Sequence, residues 1–346
     1  MTAHPLESTV AALLAPGKGI LAADESLPTI GKRFAALNIA PTEENRRAYR
    51  ELLFSTRHLN ESISGAILFD ETTSQRTGLG ESLPGVLISR GIVPGVKVDG
   101  ATIALANFPG EKITRGLDGL PERLLRYREL GGRFTKWRAV IAIGDGLPTA
   151  TCIGANARLL ALFAARSQEA GLVPIVEPEV LMDGNHTLAR CEEVTGLTLQ
   201  AVLAALIGHR VVLEAMLLKT GMVLSGKECP QQAGTKEVAA ATLRCLRRAV
   251  PAAVPGVVFL SGGQSDVAAT ERLNAICATG AAPWKLTFSF GRALQYAAMK
   301  TWHGAPANVA AAQAALLHRA RCNGLAVQGK YSAEAERAGP PSGTAK

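Results

Sequence analysis

The sequence is poor in charge and aromatics and has no dense cysteine framework. Only 19% of its 346 residues are charged and 5% aromatic, which excludes a charge-rich disordered chain and a coiled coil. The cysteines, Cys152, Cys191, Cys229, Cys245, Cys277 and Cys322, lie far apart without a CxxC pair. Scattered thiols in a chain this long point to reduced cysteines and a cytoplasmic setting. No two histidines stand at metal-ligand spacing, so neither a zinc or iron centre nor any other cofactor is expected. No uninterrupted apolar run approaches the roughly 20 residues of a membrane span. Residues 1–19, MTAHPLESTVAALLAPGKG, read as a short amphipathic helix stopped at Pro16-Gly17 rather than as a signal peptide. The net charge is +8, yet there is no Lys/Arg block and no basic stripe interleaved with aromatics. Nucleic acid is therefore excluded as a partner, whereas dispersed positive charge suits a small phosphorylated molecule.

What remains is apolar material in a regular order. Hydrophobic residues make up 47% of the chain. Strand-like runs occur at 19–26, 64–69, 95–99, 133–143, 173–180, 211–219, 257–264 and 285–292, and segments of helical periodicity such as KEVAAATLRCLRRAV lie between them. Strands alternating with helices predict a parallel sheet with helical crossovers. Eight such units predict an α/β fold of the (β/α)₈ barrel type. A single domain is expected over 1–331, followed by a flexible tail at 332–346, where SAEAERAGPPSGTAK is small, polar and rich in Pro and Gly.

In such a barrel, the residues that do chemistry project from the C-terminal ends of several strands. The runs here end at or near Asp24, Lys97, Glu177 and Glu179, Lys219, Ser261, and Ser289 with Arg292. Lys219 closes the apolar run VVLEAMLLK. A lysine there must reach water, pair with a carboxylate or stay neutral, and a neutral amine attacks ketones to form a Schiff base. Alternation along a strand puts Glu177 and Glu179 on one inner face, and likewise Lys136 and Arg138, with Pro178 and Trp137 facing the helices. A nearby cation such as Lys136 would lower the pKa of Lys219. One glutamate of the pair, partly desolvated, would shuttle protons, while the other orients Lys219 or pairs with Lys136. After the last two runs come SGGQS (261–265) and SFGR (289–292). Glycines there admit backbone N–H groups to an anion and Arg292 can grip it, which predicts a phosphate site at these two loops. Arg33, after the first run, is placed to hold a second phosphate or to help with the first.

The strings GKGILAADES, TEENRR, GVKVD, GLDGL, KWR, VPIVEPE, LLK, FLSGGQS and GRALQ, in that order, resemble class I fructose-bisphosphate aldolase over nearly the whole chain. The resemblance implies a metal-independent enzyme that cleaves fructose 1,6-bisphosphate reversibly to dihydroxyacetone phosphate and glyceraldehyde 3-phosphate. It implies that Lys219 forms the Schiff base, with Glu177 as acid/base and Glu179 in support. Asp24 would take the hydroxyl proton and Lys136 would assist it. Ser261, Gly262, Gly263, Ser289 and Arg292 would hold one phosphate, and Arg33, Lys97 and Arg138 would contact the sugar phosphate's other end. A homotetramer is implied as well. The sequence departs from the family pattern at Asp70, where a histidine is usual, and at Thr220-Gly221, where Pro-Asn is common. A different Schiff-base barrel enzyme accounts for Lys219 but not for two phosphate groups. A non-catalytic scaffolding relative normally loses a nucleophile or acid/base group, and this chain keeps both.

Overall fold

Eight parallel strands close into a barrel in the computed structural model, which describes residues 5–280 and 282–339. They are β1 (Gly19–Ala23), β2 (Ile63–Leu68), β3 (Val93–Lys97), β4 (Phe134–Ile141), β5 (Val173–Val180), β6 (Leu217–Thr220), β7 (Gly256–Phe259) and β8 (Lys285–Phe290). Each pairs with its sequence neighbours, and β8 closes the ring on β1 through Ile20↔Ser289 and Leu21↔Phe290. The (β/α)₈ expectation is met, and helices cover the outside. Their starts follow local chemistry. In TEENRR, Thr42 caps the helix Glu43–Phe54 by accepting the Asn45 N–H, and Glu43 and Glu44 occupy the first turn, where acidic groups favour the helix dipole.

Inside the barrel, alternate residues form one apolar layer. Ile20, Ala22, Phe134, Val173, Ile175, Leu217 and Val258 pack together, and the helix Glu7–Leu13 adds Val10 and Leu13 to the same cluster. Gly95 of β3 belongs to this fit: a Cβ there would lie 2.3 Å from the Phe134 ring. The opposite strand faces build the larger core against the helices, and Trp137, fully buried, stacks on Phe163 of the helix Ala150–Glu169 at 5.5 Å between centroids. Trp137→Ala is expected to cost about 3–5 kcal/mol of stability, readable as a lowered urea midpoint with little change in slope.

Two expectations need correction, and one element was not anticipated. The run at 211–219 is not one strand: Leu213–Ala215 is a 3₁₀ turn with Glu214 exposed, and only Leu217–Thr220 pairs in the sheet. A glutamate two places before Met216 cannot enter the barrel wall uncompensated, so the chain turns there first. Residues 102–104 and 112–114 form an antiparallel hairpin after β3 that alternation alone did not suggest. The segment after Tyr331 is not tail throughout. Ala333–Arg337 is a helix capped by Ser332, and Glu336 on it pairs with the buried Arg319 and accepts the Tyr331 hydroxyl at 2.6 Å. Residues 340–346 of the expected tail lie outside the described residues. Among the described residues one helix, Leu188–Gly208, is long and apolar enough by composition to cross a membrane; here it packs against β5 and the neighbouring helices of the barrel.

Candidate active site

The inner layer changes character near the C-terminal rim. Two residues beyond the apolar Ala22, Phe134, Ile175 and Leu217 stand Asp24, Lys136, Glu177 and Lys219, each on the same inward face as the residue before it. All four are at least nine-tenths buried, Lys219 and Glu177 at 3% exposure each. They form a continuous ionic chain. The Lys219 Nζ lies 3.3 Å from Glu177 Oε1, Glu177 Oε2 lies 2.7 Å from Lys136 Nζ, and Lys136 donates to Asp24 Oδ2 at 3.0 Å.

Burial governs the protonation of this chain. Desolvation pulls the Lys219 ammonium below its ordinary range, with Arg138 adding to the effect and Asp24 and Glu179 opposing it. The cation that adds to burial is thus Arg138 rather than the expected Lys136. Lys136 itself is pulled down to about 8, first by burial against the opposing charge of Asp24, and further by Lys219. Burial alone would raise Asp24, but Lys136, Lys219 and Lys97 outweigh it and hold the carboxyl well below the usual range. At neutral pH the site thus holds an ionised Asp24 beside a lysine far easier to deprotonate than a free one.

The two glutamates divide their work differently from the expectation. Glu177 takes both roles, contacting Lys219 and Lys136, while Glu179 pairs with Arg138 instead. Around this centre three cations are braced by carboxylates. Lys97 donates to the carbonyl and carboxylate of Asp99, whose other oxygen accepts the Arg138 backbone N–H at 3.1 Å. Arg33 pairs with Glu25, which also accepts from Arg50 at 2.6 Å and from Gln295 at 2.9 Å.

Across the rim, the loop after β7 passes through Gly262 and Gly263, at φ +55° and +91°. Those conformations favour glycine. A Cβ on Gly263 would also meet Lys227, Met182 and Arg292, all within 3.4 Å. Ser289, the penultimate residue of β8, has a buried hydroxyl with no partner among the described residues. Arg292 opens the helix Arg292–Trp302.

One cavity of about 910 Å³ is lined by every residue the sequence nominated: Asp24, Arg33, Lys97, Lys136, Arg138, Glu177, Glu179, Lys219, Ser261, Gly262, Gly263, Ser289 and Arg292. Residues 5–343 match the family described as fructose-bisphosphate aldolase class-I. The chain belongs to that family.

Among relatives of this aldolase family, a "Probable fructose-bisphosphate aldolase class 1" of Xanthomonas campestris pv. campestris is 53% identical over 332 residues, covering 96% of this chain and 99% of its own. "Fructose-bisphosphate aldolase 4, cytosolic" of Arabidopsis thaliana is 50% identical, covering 96% and 85%. In three dimensions, the fructose-bisphosphate aldolase of Plasmodium falciparum, solved with TRAP and a small-molecule inhibitor, superposes with a TM-score of 0.94 at 48% identity, over 95% of each chain.

Some cavity residues escaped the sequence reading, and one, Asp70, was singled out there without a role. Glu25 and Asp99 sit inside the quoted strings ADES and KVD, and nothing in their spacing told a bracing carboxylate from a surface one. Asp70, in place of the usual histidine, sits at the cavity edge and accepts from Arg126 at 2.6 Å and from the Tyr127 hydroxyl at 2.7 Å. Lys227 and Asp183 meet at 2.6 Å on the same wall. Away from the cavity, His318, Cys322 and Glu336 come within 4.8 Å of one another, although both Glu336 oxygens are already engaged by Arg319 and Tyr331. Histidine spacing alone could not disclose that group, because only the docked helix Ala333–Arg337 brings Glu336 to it.

Proposed function

We propose that the protein is a class I fructose-bisphosphate aldolase, cleaving fructose 1,6-bisphosphate reversibly to dihydroxyacetone phosphate and glyceraldehyde 3-phosphate through a Schiff base on Lys219. The observation that carries this reading is the buried chain Lys219–Glu177–Lys136–Asp24 on the floor of a cavity with cations at both ends. Neutral Lys219 attacks the C2 ketone of the open-chain sugar. Glu177, 3.3 Å from Nζ, hands a proton to the departing oxygen as water leaves and the iminium forms. The iminium then draws the C3–C4 electron pair, and ionised Asp24 takes the C4 hydroxyl proton as the aldehyde departs. The remaining enamine is protonated at C3 and hydrolysed, returning Lys219. Lys136 holds Asp24 and Glu177 in place between the two events. Ser261, Gly262, Gly263, Ser289 and Arg292 bind one phosphate. Arg33, Lys97 and Arg138 bind the other end of the sugar, exchanging their bracing carboxylates for it in part.

Cleavage in a coupled assay, undiminished by EDTA, is the direct test; absence of cleavage by folded protein contradicts the reading. A pH profile tests the electrostatics. Lys136 braces two carboxylates only while charged, so kcat/KM should fall as pH rises through about 8. Lys136→Arg, always charged, should abolish that fall even if it lowers the plateau. An unchanged alkaline limb in the variant would assign it to another group.

Cytoplasmic location and homotetrameric assembly belong to the same proposal. The Arabidopsis relative named as cytosolic supports the first, and sedimentation equilibrium of the purified chain tests the second.

A further inference from the structure

Lys227 is an exposed lysine whose stem is fixed in an unusual place. It follows β6 on a loop laced to the loop after β5: Gly226 donates its N–H to the His186 carbonyl, Lys227 to Met182 and Glu228 to Gly184, at 2.8, 2.8 and 2.9 Å. The two backbones touch so closely that a Cβ on Gly226 would lie 2.3 Å from the Gly184 oxygen. The loop therefore holds its course, and the freedom left to Lys227 lies in its side chain. That side chain runs over the glycine loop: its Cε is 3.2 Å, and the Arg292 Nη2 3.4 Å, from the same point above Gly263. Two cations thus flank one positive-φ glycine in a cavity also lined by Ser289, whose hydroxyl has no partner among the described residues. Among the described residues, the carboxylate paired with Lys227 is Asp183, at 2.6 Å, itself largely exposed. An exposed pair of this kind is weak and yields readily to a doubly charged anion.

Resting on the aldolase reading above, we propose that Lys227 is a further substrate-binding residue. It closes over the phosphate held by Gly262, Gly263 and Arg292, and Asp183 parks its ammonium until that phosphate arrives. No bond to the sugar is made or broken by Lys227; its contribution is a charge-assisted hydrogen bond from Nζ to a phosphate oxygen.

The test contrasts the two partners of the pair. Lys227→Met should raise KM for fructose 1,6-bisphosphate by roughly 3- to 10-fold, the loss falling on KM rather than kcat, and Lys227→Arg should largely restore it. Asp183→Asn should leave KM unchanged or lower it, because the lysine is released. An equal rise in both Lys227→Met and Asp183→Asn would show a merely structural pair and overturn the proposal, as would an unchanged KM in Lys227→Met. Titration calorimetry with inorganic phosphate separates this from the activity itself. Weaker phosphate binding in Lys227→Met by a protein that cleaves nothing would sink the aldolase reading and leave Lys227 standing. Equal phosphate binding in variant and parent would remove Lys227 alone.

Discussion

Lys219→Ala is expected to lose at least about a thousandfold in cleavage, more than about 4 kcal/mol of transition-state stabilisation, while keeping its fold. Both halves of that statement follow from the position of the side chain. Among the described residues the other lysines of the cavity are held elsewhere: Lys136 by Asp24 and Glu177, Lys97 by Asp99 and Lys227 by Asp183. The fold survives because burial already works against the charged form of Lys219. Removing it relieves that cost while leaving Glu177 paired with Lys136. Turnover measured beside circular dichroism and a thermal melt reads both halves. A folded variant with more than about a tenth of parental activity would place the nucleophile elsewhere.

Glu177→Gln has the second largest expected effect, about 10²- to 10⁴-fold in kcat, the range for a positioned acid/base group. Glutamine keeps the volume between the two lysines but can neither ionise nor relay a proton. The diagnostic is which step fails. Glu177 touches Lys219 at 3.3 Å, whereas Asp24 is paired with Lys136, so Glu177→Gln should slow formation of the substrate adduct on Lys219. Asp24→Asn should still form the adduct and stall at carbon–carbon cleavage. Rapid-quench trapping distinguishes the two, and equal adduct rates in Glu177→Gln and parent would remove Glu177 from Schiff-base chemistry.

Much of this was legible in the sequence because a barrel converts strand order into geometry. Once eight apolar runs alternate with helices, residues near the ends of those runs must converge, and Asp24, Glu177, Lys219, Ser289 and their neighbours do so in one cavity. The two-residue alternation of VEPE and KWR was likewise enough to send Trp137 outward onto Phe163 and Lys136 inward. What could not be read was which opposite charges would find each other across the barrel. Glu179 and Arg138 pair between neighbouring strands, and Glu25 reaches Arg33 and Arg50; register and side-chain reach decide such pairs. The run at 211–219 misled for a related reason: its apolar composition continues through Glu214, whose exposure marks where the backbone has left the sheet. Lys227 was invisible because its relation to Gly263 passes through two loops whose approach depends on the fold.

The central claim is that a covalent intermediate forms on Lys219, and borohydride trapping reaches it most directly. The protein is incubated with fructose 1,6-bisphosphate, reduced with sodium borohydride in the presence and absence of EDTA, and digested for peptide mass spectrometry. The account predicts a reduced triose phosphate or hexose bisphosphate adduct on Lys219, insensitive to EDTA, with activity lost in proportion to labelling. An adduct confined to another lysine, or none on folded protein that has been exposed to substrate, would contradict it.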